Sequence, residues 1–146
     1  MHAQDLAARN VMVAQDEICK VGDFGLLREL PKDVDIYVAT AKVTKFPIRW
    51  MAPESHSKRE FSPATDVWSF GIVMWEMFNP AQTPYKGMSN HQVAANVCLG
   101  TRLTIPEPYP STVVSIMKAC WQHMPSKRPS FLLIASLLAN VFYGTE

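Results

Sequence analysis

The stretch between Pro63 and Asn79 constrains this chain most, because it predicts a helix that is apolar on nearly every side. Ser62 comes just before it, and a cap residue followed by a first-turn proline is a typical helix start. Residues 66–75 then read DVWSFGIVMW, and Asn79-Pro80 ends the run. A helix without a polar face is stable only when other elements cover it. The sequence therefore predicts a domain whose core is built around this segment.

Three further helices are predicted after the apolar one. The first begins at a capping box formed by Ser89 and Gln92 and stops near Gly100. The next follows Ser111, and the last follows Ser130. Apolar residues recur at helical spacing in these last two helices: Val114, Met117 and Trp121 in one, and Phe131, Ile134, Leu138 and Val141 in the other.

The N-terminal part of the chain predicts a small β-hairpin. Residues 10–13 and 18–21 are β-prone, and a turn-like segment separates them. From about Gly25 to Pro63 no period is sustained, and an irregular stretch of this length is often functional. We expect one domain with a loop and hairpin in residues 1–25, a functional loop in 26–61 and a helical core in 62–143.

Composition excludes several classes of function. The formal net charge of +1 gives no reason to expect nucleic acid as a partner. The three cysteines are far apart, which argues against a disulfide framework or zinc site and favours a reducing compartment such as the cytoplasm. No signal peptide or membrane helix is predicted, and Glu76 interrupts the longest apolar run. Charged residues make up only 18% of the chain, which fits either a deep core or a surface that packs on something absent here.

Short motifs occur in a fixed order along the chain. Asp5 is followed five positions later by Asn10, and the predicted hairpin is followed by Asp23-Phe24-Gly25. An Asp, an Asn five positions on, a hairpin and then D-F-G form the catalytic-loop arrangement of protein kinases. Further motifs follow downstream: Ala52-Pro53-Glu54, DVWSFG at residues 66–71, Cys120-Trp121 and Arg128-Pro129.

From about Asp5 to Leu138 the chain resembles the C-lobe of the eukaryotic protein kinase catalytic domain, which implies a protein-kinase-like α+β fold. The catalytic loop reads LAARN, where serine/threonine kinases usually place a Lys two residues after the Asp. Residues 46–54, FPIRWMAPE, are similar to the substrate-docking loop of tyrosine kinases. Within that group, residues 8–14, 84–90 and 120–122 look most like the insulin-receptor-like receptor tyrosine kinases.

The resemblance implies transfer of the γ-phosphate of ATP to protein tyrosines, with Mg²⁺ as the metal. It makes Asp5 the carboxylate that accepts the proton of the substrate hydroxyl, and Arg9 a positive charge beside that hydroxyl. Magnesium prefers hard oxygen ligands. The resemblance assigns these to Asn10 and Asp23, at opposite ends of the hairpin.

Two further functions are implied for the loop between the hairpin and the helical core. Pro47, Arg49 and Trp50 belong to the substrate-docking segment, in which the proline forms a shelf for a tyrosyl ring. Tyr37 occupies the position of an activating autophosphorylation site in the family. A phosphate there would add about 1.5–2 negative charges and can order the loop through arginine contacts.

Three residues are expected to have structural roles. The resemblance pairs Glu54 with Arg128 in a buried ion pair that would pin the docking loop to the helices. It also implies that Asp66 hydrogen-bonds the backbone of the catalytic loop from the start of the apolar helix.

The sequence departs from the family pattern in two ways. The family places His and Arg just before the catalytic Asp, whereas Ala3 and Gln4 stand here and His2 is one position off. The motifs of the N-lobe, a glycine-rich loop and a V-A-I-K lysine, do not occur in this sequence. We therefore expect the N-lobe of the same kinase and a tyrosine-containing protein as partners, no activity without that lobe, and membrane attachment only through segments absent here. The alternative is a short, non-catalytic binding module that docks on a kinase or its substrate.

Overall fold

The computed structural model describes residues 5–22, 36–39 and 46–144, except for the side chain of Phe142. Besides short 3-10 turns, the described elements are four short strands and five α-helices, namely β1 Val11–Val13, β2 Cys19–Val21, β3 Tyr37–Val38, α1 Pro53–Ser57, β4 Glu60–Phe61, α2 Pro63–Phe78, α3 Asn90–Cys98, α4 Ser111–Cys120 and α5 Phe131–Tyr143. Within these ranges the fold is a mainly helical lobe that carries two small antiparallel sheets.

The predicted hairpin is present. β1 and β2 pair antiparallel, with Met12 opposite Lys20, and a short 3-10 turn joins the two strands. The hairpin leaves large apolar side chains in solvent, since Val13 is 71% exposed and Ile18 is 56% exposed. Few of its residues therefore reach the core of the helical lobe.

Helix α2 lies at the centre of the core, as the sequence predicts. It starts with a reciprocal cap in which the Ser62 backbone N–H donates to the Thr65 hydroxyl at 3.0 Å. Trp68 and Ile72 have no exposed surface, and residues of α3 and α4 pack around them. Gly71 faces the end of α4, where an added Cβ would lie 2.6 Å from the Trp121 indole nitrogen. This glycine lets two helices approach more closely than any other residue would allow.

The packing of α4 corrects one sequence prediction. Val114 is only half-buried, whereas the buried face consists of Val113, Ile116, Met117 and Cys120, with Trp121 following directly after the helix. Of the predicted stripe, Met117 and Trp121 are buried, and Val114 is the one member that is not.

The packing of α5 also differs from the predicted apolar stripe. Ile134 is buried, while Phe131 is 41% exposed and Leu138 and Val141 are half-buried. Leu132 is 83% exposed.

The stretch from Gly25 to Pro63, predicted to be irregular, contains regular structure in its described part. Helix α1 follows Ala52, and β3 pairs with β4 so that Tyr37 lies opposite Phe61. The Phe61 ring stacks on Phe46 at 5.8 Å between centroids, in a small second apolar cluster. Two-residue strands and a five-residue helix are too short to produce a detectable period.

Candidate active site

The segment from Asp5 to Asn10 folds back on itself. Residues Ala8–Asn10 form a 3-10 turn, and the Asn10 backbone N–H donates to the Ala7 carbonyl at 2.9 Å. The Asn10 side-chain nitrogen donates to the Asp5 carbonyl at 2.8 Å, and Asn10 is buried. The Asn10 side chain therefore holds the backbone of the loop that carries Asp5.

Asp5 and Arg9 lie side by side at the surface of this loop. The Arg9 guanidinium donates to Asp5 Oδ1, and the Asp5 side chain is 17% exposed against 46% for Arg9. The Arg9 guanidinium also stacks over the indole ring of Trp50, 4.4 Å from the ring centroid. The structure therefore brings together predicted residues of the catalytic loop and of the docking loop.

Arg49 of the docking loop is bound to backbone carbonyls. Its guanidinium donates to the Pro84 oxygen at 2.7 Å, the Tyr85 oxygen at 3.0 Å and the Met88 oxygen at 2.5 Å. These bonds join the docking loop to the segment before α3. Pro47, two residues earlier, is half-buried and precedes the 3-10 turn Ile48–Trp50.

Glu76 is a site residue that the sequence reasoning did not assign. Its Oε2 accepts a hydrogen bond from the Trp50 indole N–H and another from the Ala8 backbone N–H, each at 2.9 Å. Ser69, also on α2, donates from its hydroxyl to the Trp50 carbonyl at 2.7 Å. One signal was present in the sequence, since Glu76 is the acidic residue that interrupts the longest apolar run.

Glu54 and Arg128 are also brought together. Arg128 Nη1 lies 2.6 Å from Glu54 Oε1, and Arg128 Nη2 lies 2.8 Å from Glu54 Oε2. The Arg128 side chain has no exposed surface, and that of Glu54 is 11% exposed. Asp66 is buried in the first turn of α2, and its expected bond to the catalytic loop stays a prediction.

Tyr37 belongs to the small sheet formed by β3 and β4. It is half-buried in β3 and packs against the cluster of Ala39, Met51 and Phe61.

The predicted metal ligand Asp23 lies outside the described residues, as do Ala3 and Gln4. The neighbouring Gly22 is described, and its backbone N–H donates to the Asn10 carbonyl at 2.6 Å. The hairpin therefore returns the chain to Asn10 just before position 23. Within residues 5–22, 36–39 and 46–144, no group of three or more His, Cys, Asp or Glu side chains could hold a metal ion.

One described cavity lies away from these residues. It is an open groove of about 930 Å³ between α4 and the segment before it, lined by residues such as Arg102, Tyr109 and Lys118. None of the predicted catalytic or docking residues lines it.

Comparison with known proteins identifies the family. The family described as protein tyrosine and serine/threonine kinase matches residues 1–138. This chain belongs to that kinase family.

Curated relatives of the kinase chain are tyrosine kinases and receptors. Tyrosine-protein kinase Srms of Mus musculus is 44% identical over 92% of this chain, and tyrosine-protein kinase SYK of Gallus gallus is 41% identical over 96%. The insulin receptor of Xenopus laevis is 46% identical over 94%. The chain spans 27%, 23% and 10% of the lengths of these three proteins, respectively. The predicted membership of the tyrosine kinases and the predicted kinase fold class are therefore confirmed.

The clear pKa shifts among the described residues of the kinase chain lie in its scaffold. Burial lowers the pKa of His56 from its usual value, although a hydrogen bond to the Met51 backbone and the charge of Glu54 oppose this. Burial raises the pKa of Tyr85 to about 12, and it does the same to the Cys120 thiol. These groups stay uncharged at neutral pH and behave as packing residues.

None of the described helices is both long and apolar enough to span a membrane.

Proposed function

We propose that this chain is the C-lobe of a protein tyrosine kinase domain that transfers the γ-phosphate of ATP to protein tyrosines. The observation that carries the proposal is the contact between the catalytic and docking loops, in which Arg9 pairs with Asp5 and stacks on Trp50. Phosphoryl transfer requires little covalent chemistry from the protein and depends on positioning and on neutralising charge. The arrangement puts a carboxylate and a cation beside the loop expected to receive the substrate tyrosine.

Asp5 is proposed to accept the proton of the tyrosyl hydroxyl as its oxygen bonds to the γ-phosphorus and the bond to the ADP oxygen breaks. Its carboxylate is near the surface, where a substrate hydroxyl can reach it, and Arg9 holds it in place. Arg9 adds positive charge where negative charge develops on the transferring group.

Asn10 and Asp23 are proposed to hold Mg²⁺ with the phosphates of ATP. The chemistry of Asn10 fits, because its nitrogen is bound to the Asp5 carbonyl and its oxygen is the atom that can serve as a hard ligand. The bond from Gly22 to the Asn10 carbonyl supports the approach of the next residue to Asn10. Bound Mg²⁺ would neutralise phosphate charge.

Pro47 and Trp50 are proposed to receive the substrate tyrosine, since they lie at the turn beside Arg9. Arg49 is proposed to shape this surface indirectly, because its donors bind the carbonyls of residues 84, 85 and 88. Tyr37 is proposed as the regulatory phosphorylation site. Its half-buried ring would have to leave the contacts of β3 before it could be modified.

An N-lobe of the same kinase is the proposed partner of the hairpin. Met12, Val13 and Ile18 are each more than half exposed, and an exposed apolar cluster is typical of a surface that another domain covers. We infer that the chain is inactive towards ATP without that lobe, and that the active kinase acts on the cytoplasmic side of a membrane if it belongs to a receptor.

The test joins the chain to the N-lobe of a related tyrosine kinase and assays the folded chimaera with Mg-ATP and a tyrosine peptide. We expect phosphotyrosine, and a loss of about 10²–10⁴-fold in kcat on Asp5→Asn, the range for removal of a positioned general base. The matched control is Asp16→Asn, which changes an exposed Asp in the hairpin turn and leaves the rate unaltered. A second chimaera carries Gln4→Arg, to supply the arginine of the family motif.

A folded chimaera that phosphorylates only serine, or whose Asp5→Asn variant equals its parent, would contradict the proposal. If both chimaeras, with and without Gln4→Arg, are folded and inactive, the non-catalytic binding module becomes the better reading.

A further inference from the structure

A smaller cavity opens between the end of α2, the segment 82–88 before α3 and the segment 101–106 after it. Its volume is about 320 Å³, at the lower end of the range for sites that hold small molecules. No described residue of the catalytic loop or of the docking loop lines it. The cavity is therefore a candidate for a separate binding site.

Tyr85 lines this cavity and carries a buried hydroxyl group without a partner. The residue is only 7% exposed, and its hydroxyl makes no hydrogen bond to any described residue. Leaving a buried polar group unpaired costs free energy that a hydrogen bond would recover. The backbone is strained as well, because the φ angle of 53° lies in the left-handed region that a bulky aromatic residue rarely adopts. Such unfavourable features cluster at ligand-binding positions.

The charged side chains around the cavity are positive. Lys86 is exposed at its edge and Arg102 is half-buried in its wall, and no Asp or Glu of the described residues lines it. Arg102 donates to the Trp121 carbonyl from Nε and to the Thr101 carbonyl from Nη1, each at 2.9 Å. Its Nη2 donates to no described residue. An anion that enters would meet two cations and no carboxylate from the lining.

The Tyr85 hydroxyl is a donor at neutral pH. Burial raises the pKa of Tyr85 to about 12, although the charge of Arg102 acts in the opposite direction. A protonated phenol and a guanidinium can each donate to one oxygen of a carboxylate, and such charge-assisted bonds are strong.

The rest of the wall is partly apolar and includes Trp75, Met88 and Leu103. The Trp75 indole N–H already donates to the Thr104 carbonyl at 2.8 Å, so the indole offers its ring to a ligand. A ligand that matches this wall combines an apolar body with one anionic group.

We propose that this cavity binds a carboxylate carried on a small apolar body, with the Tyr85 hydroxyl and the Arg102 guanidinium as donors and Lys86 as a cation at the entrance. The hydroxyl oxygen has almost no exposed surface. A side chain of the wall must therefore turn aside as the carboxylate enters, a change that is common on binding. The carboxylate belongs either to a free compound or to an acidic side chain of a peptide. The proposal does not depend on the proposed kinase activity.

The first test follows binding to the chain by NMR at the indole N–H of Trp75, with that of Trp50 in the docking loop as a remote reporter. The probes are phenylacetate, its neutral amide phenylacetamide and inorganic phosphate. We expect phenylacetate to shift the Trp75 signal with a dissociation constant of about 1 mM or below, as its size allows. The amide lacks the charge and phosphate lacks the apolar body, so each should bind at least about tenfold more weakly.

A capped tripeptide, Phe-Glu-Phe, and its Gln counterpart identify the source of the carboxylate. A Trp75 shift with the Glu peptide and not with the Gln peptide supports a peptide side chain as the ligand. A shift with phenylacetate alone supports a free compound. Absence of a Trp75 shift with both phenylacetate and the Glu peptide would refute the proposal, as would equal binding of phenylacetate and its amide.

The second test is Tyr85→Phe, which removes the hydroxyl alone. We expect it to weaken phenylacetate binding at least about tenfold, since a hydrogen bond to a charged group is lost. Without ligand, the urea midpoint of Tyr85→Phe should equal or exceed that of the wild type, because an unpaired buried hydroxyl is gone. Tyr143→Phe is the matched control, because Tyr143 is 84% exposed at the end of α5, and it should change neither value.

A hydroxyl with a purely structural role would give the opposite result, namely lost stability and unaltered binding. Lys86→Met should weaken phenylacetate binding only a few-fold, and Lys58→Met, a change at an exposed lysine outside the cavity, should have no effect. Phosphate that binds as tightly as phenylacetate, with loss in Lys86→Met and none in Tyr85→Phe, would show attraction by surface charge alone and overturn the site. Arg102 is left unchanged, because its bonds to backbone carbonyls also support the fold.

Discussion

The ion pair between Glu54 and Arg128 supports a quantitative prediction about stability. The Arg128 side chain is fully buried, and besides Glu54 it donates to the carbonyls of Ala64 at 2.9 Å, Gln122 at 2.9 Å and His123 at 3.2 Å. Glu54→Gln leaves a buried guanidinium with no countercharge. Removing one partner of a buried pair costs about 3–5 kcal/mol.

This cost is a large part of the total stability, since a domain typically unfolds with about 5–15 kcal/mol. With an m-value of about 2 kcal/mol/M, the urea midpoint of Glu54→Gln should fall by about 2 M. The urea midpoint of Arg128→Met should fall by a similar amount, because this substitution leaves the Glu54 carboxylate and three backbone carbonyls without hydrogen-bond donors. Unfolding followed by tryptophan fluorescence measures both, since Trp68 lies under Arg128 at 5.1 Å.

The double variant Glu54→Gln/Arg128→Met tests the reasoning most directly. It contains no unpaired buried charge, so its loss of stability should be smaller than the sum of the losses in the two single variants. Its free energy of unfolding should still be lower than that of the wild type. Lys127→Met is the control, because Lys127 is an exposed neighbour of Arg128. Single variants within about 0.5 kcal/mol of the wild type, the usual range for surface changes, or strictly additive losses in the double variant, would refute the argument.

Three further predictions concern the scaffold. Gly71→Ala should destabilise the chain in calorimetry despite the higher helix propensity of Ala, because the new Cβ would meet Trp121; an unchanged or raised Tm would contradict the close contact. Burial lowers the folded-state pKa of His56, so the unfolded chain binds more protons just below pH 6.5. Stability should therefore decline as pH falls through that value and level off below the folded-state pKa, and His56→Gln should flatten this part of a stability–pH curve. Thiol labelling at pH 8 should modify exposed Cys19 at once and spare Cys120, whose pKa is raised to about 12, until urea unfolds the chain; simultaneous labelling of both would disprove that protection.

The helices and the hairpin could be predicted because each has a local cause in the sequence. Ser62 and Thr65 form the cap that starts α2, and the Ser89–Gln92 box starts α3. The resemblance to the kinase catalytic loop then predicted site roles for Asp5, Arg9 and Asn10. In the structure, hydrogen bonds join these three residues within one loop.

The contacts between distant segments could not be predicted in the same way. Glu76 looked like a break in an apolar run, and nothing near it in sequence reveals that Ala8 and Trp50 supply its donors. Arg49 looked like a surface docking residue, yet its donors bind backbone carbonyls more than thirty residues away. Such hydrogen bonds depend on how whole segments pack against each other, so the spacing of residues along the sequence does not predict them.

Helix α2 supplies Ser69 and Glu76 to the docking loop and Gly71 to the contact with α4. A mutational screen of the proposed kinase activity should therefore return many hits along a helix that is mostly buried in the core. Such hits would fall into two groups in abundance measurements. Changes like those at Gly71 would lower the amount of protein in cells, whereas changes at Glu76 would leave the amount near normal and lower the activity per molecule.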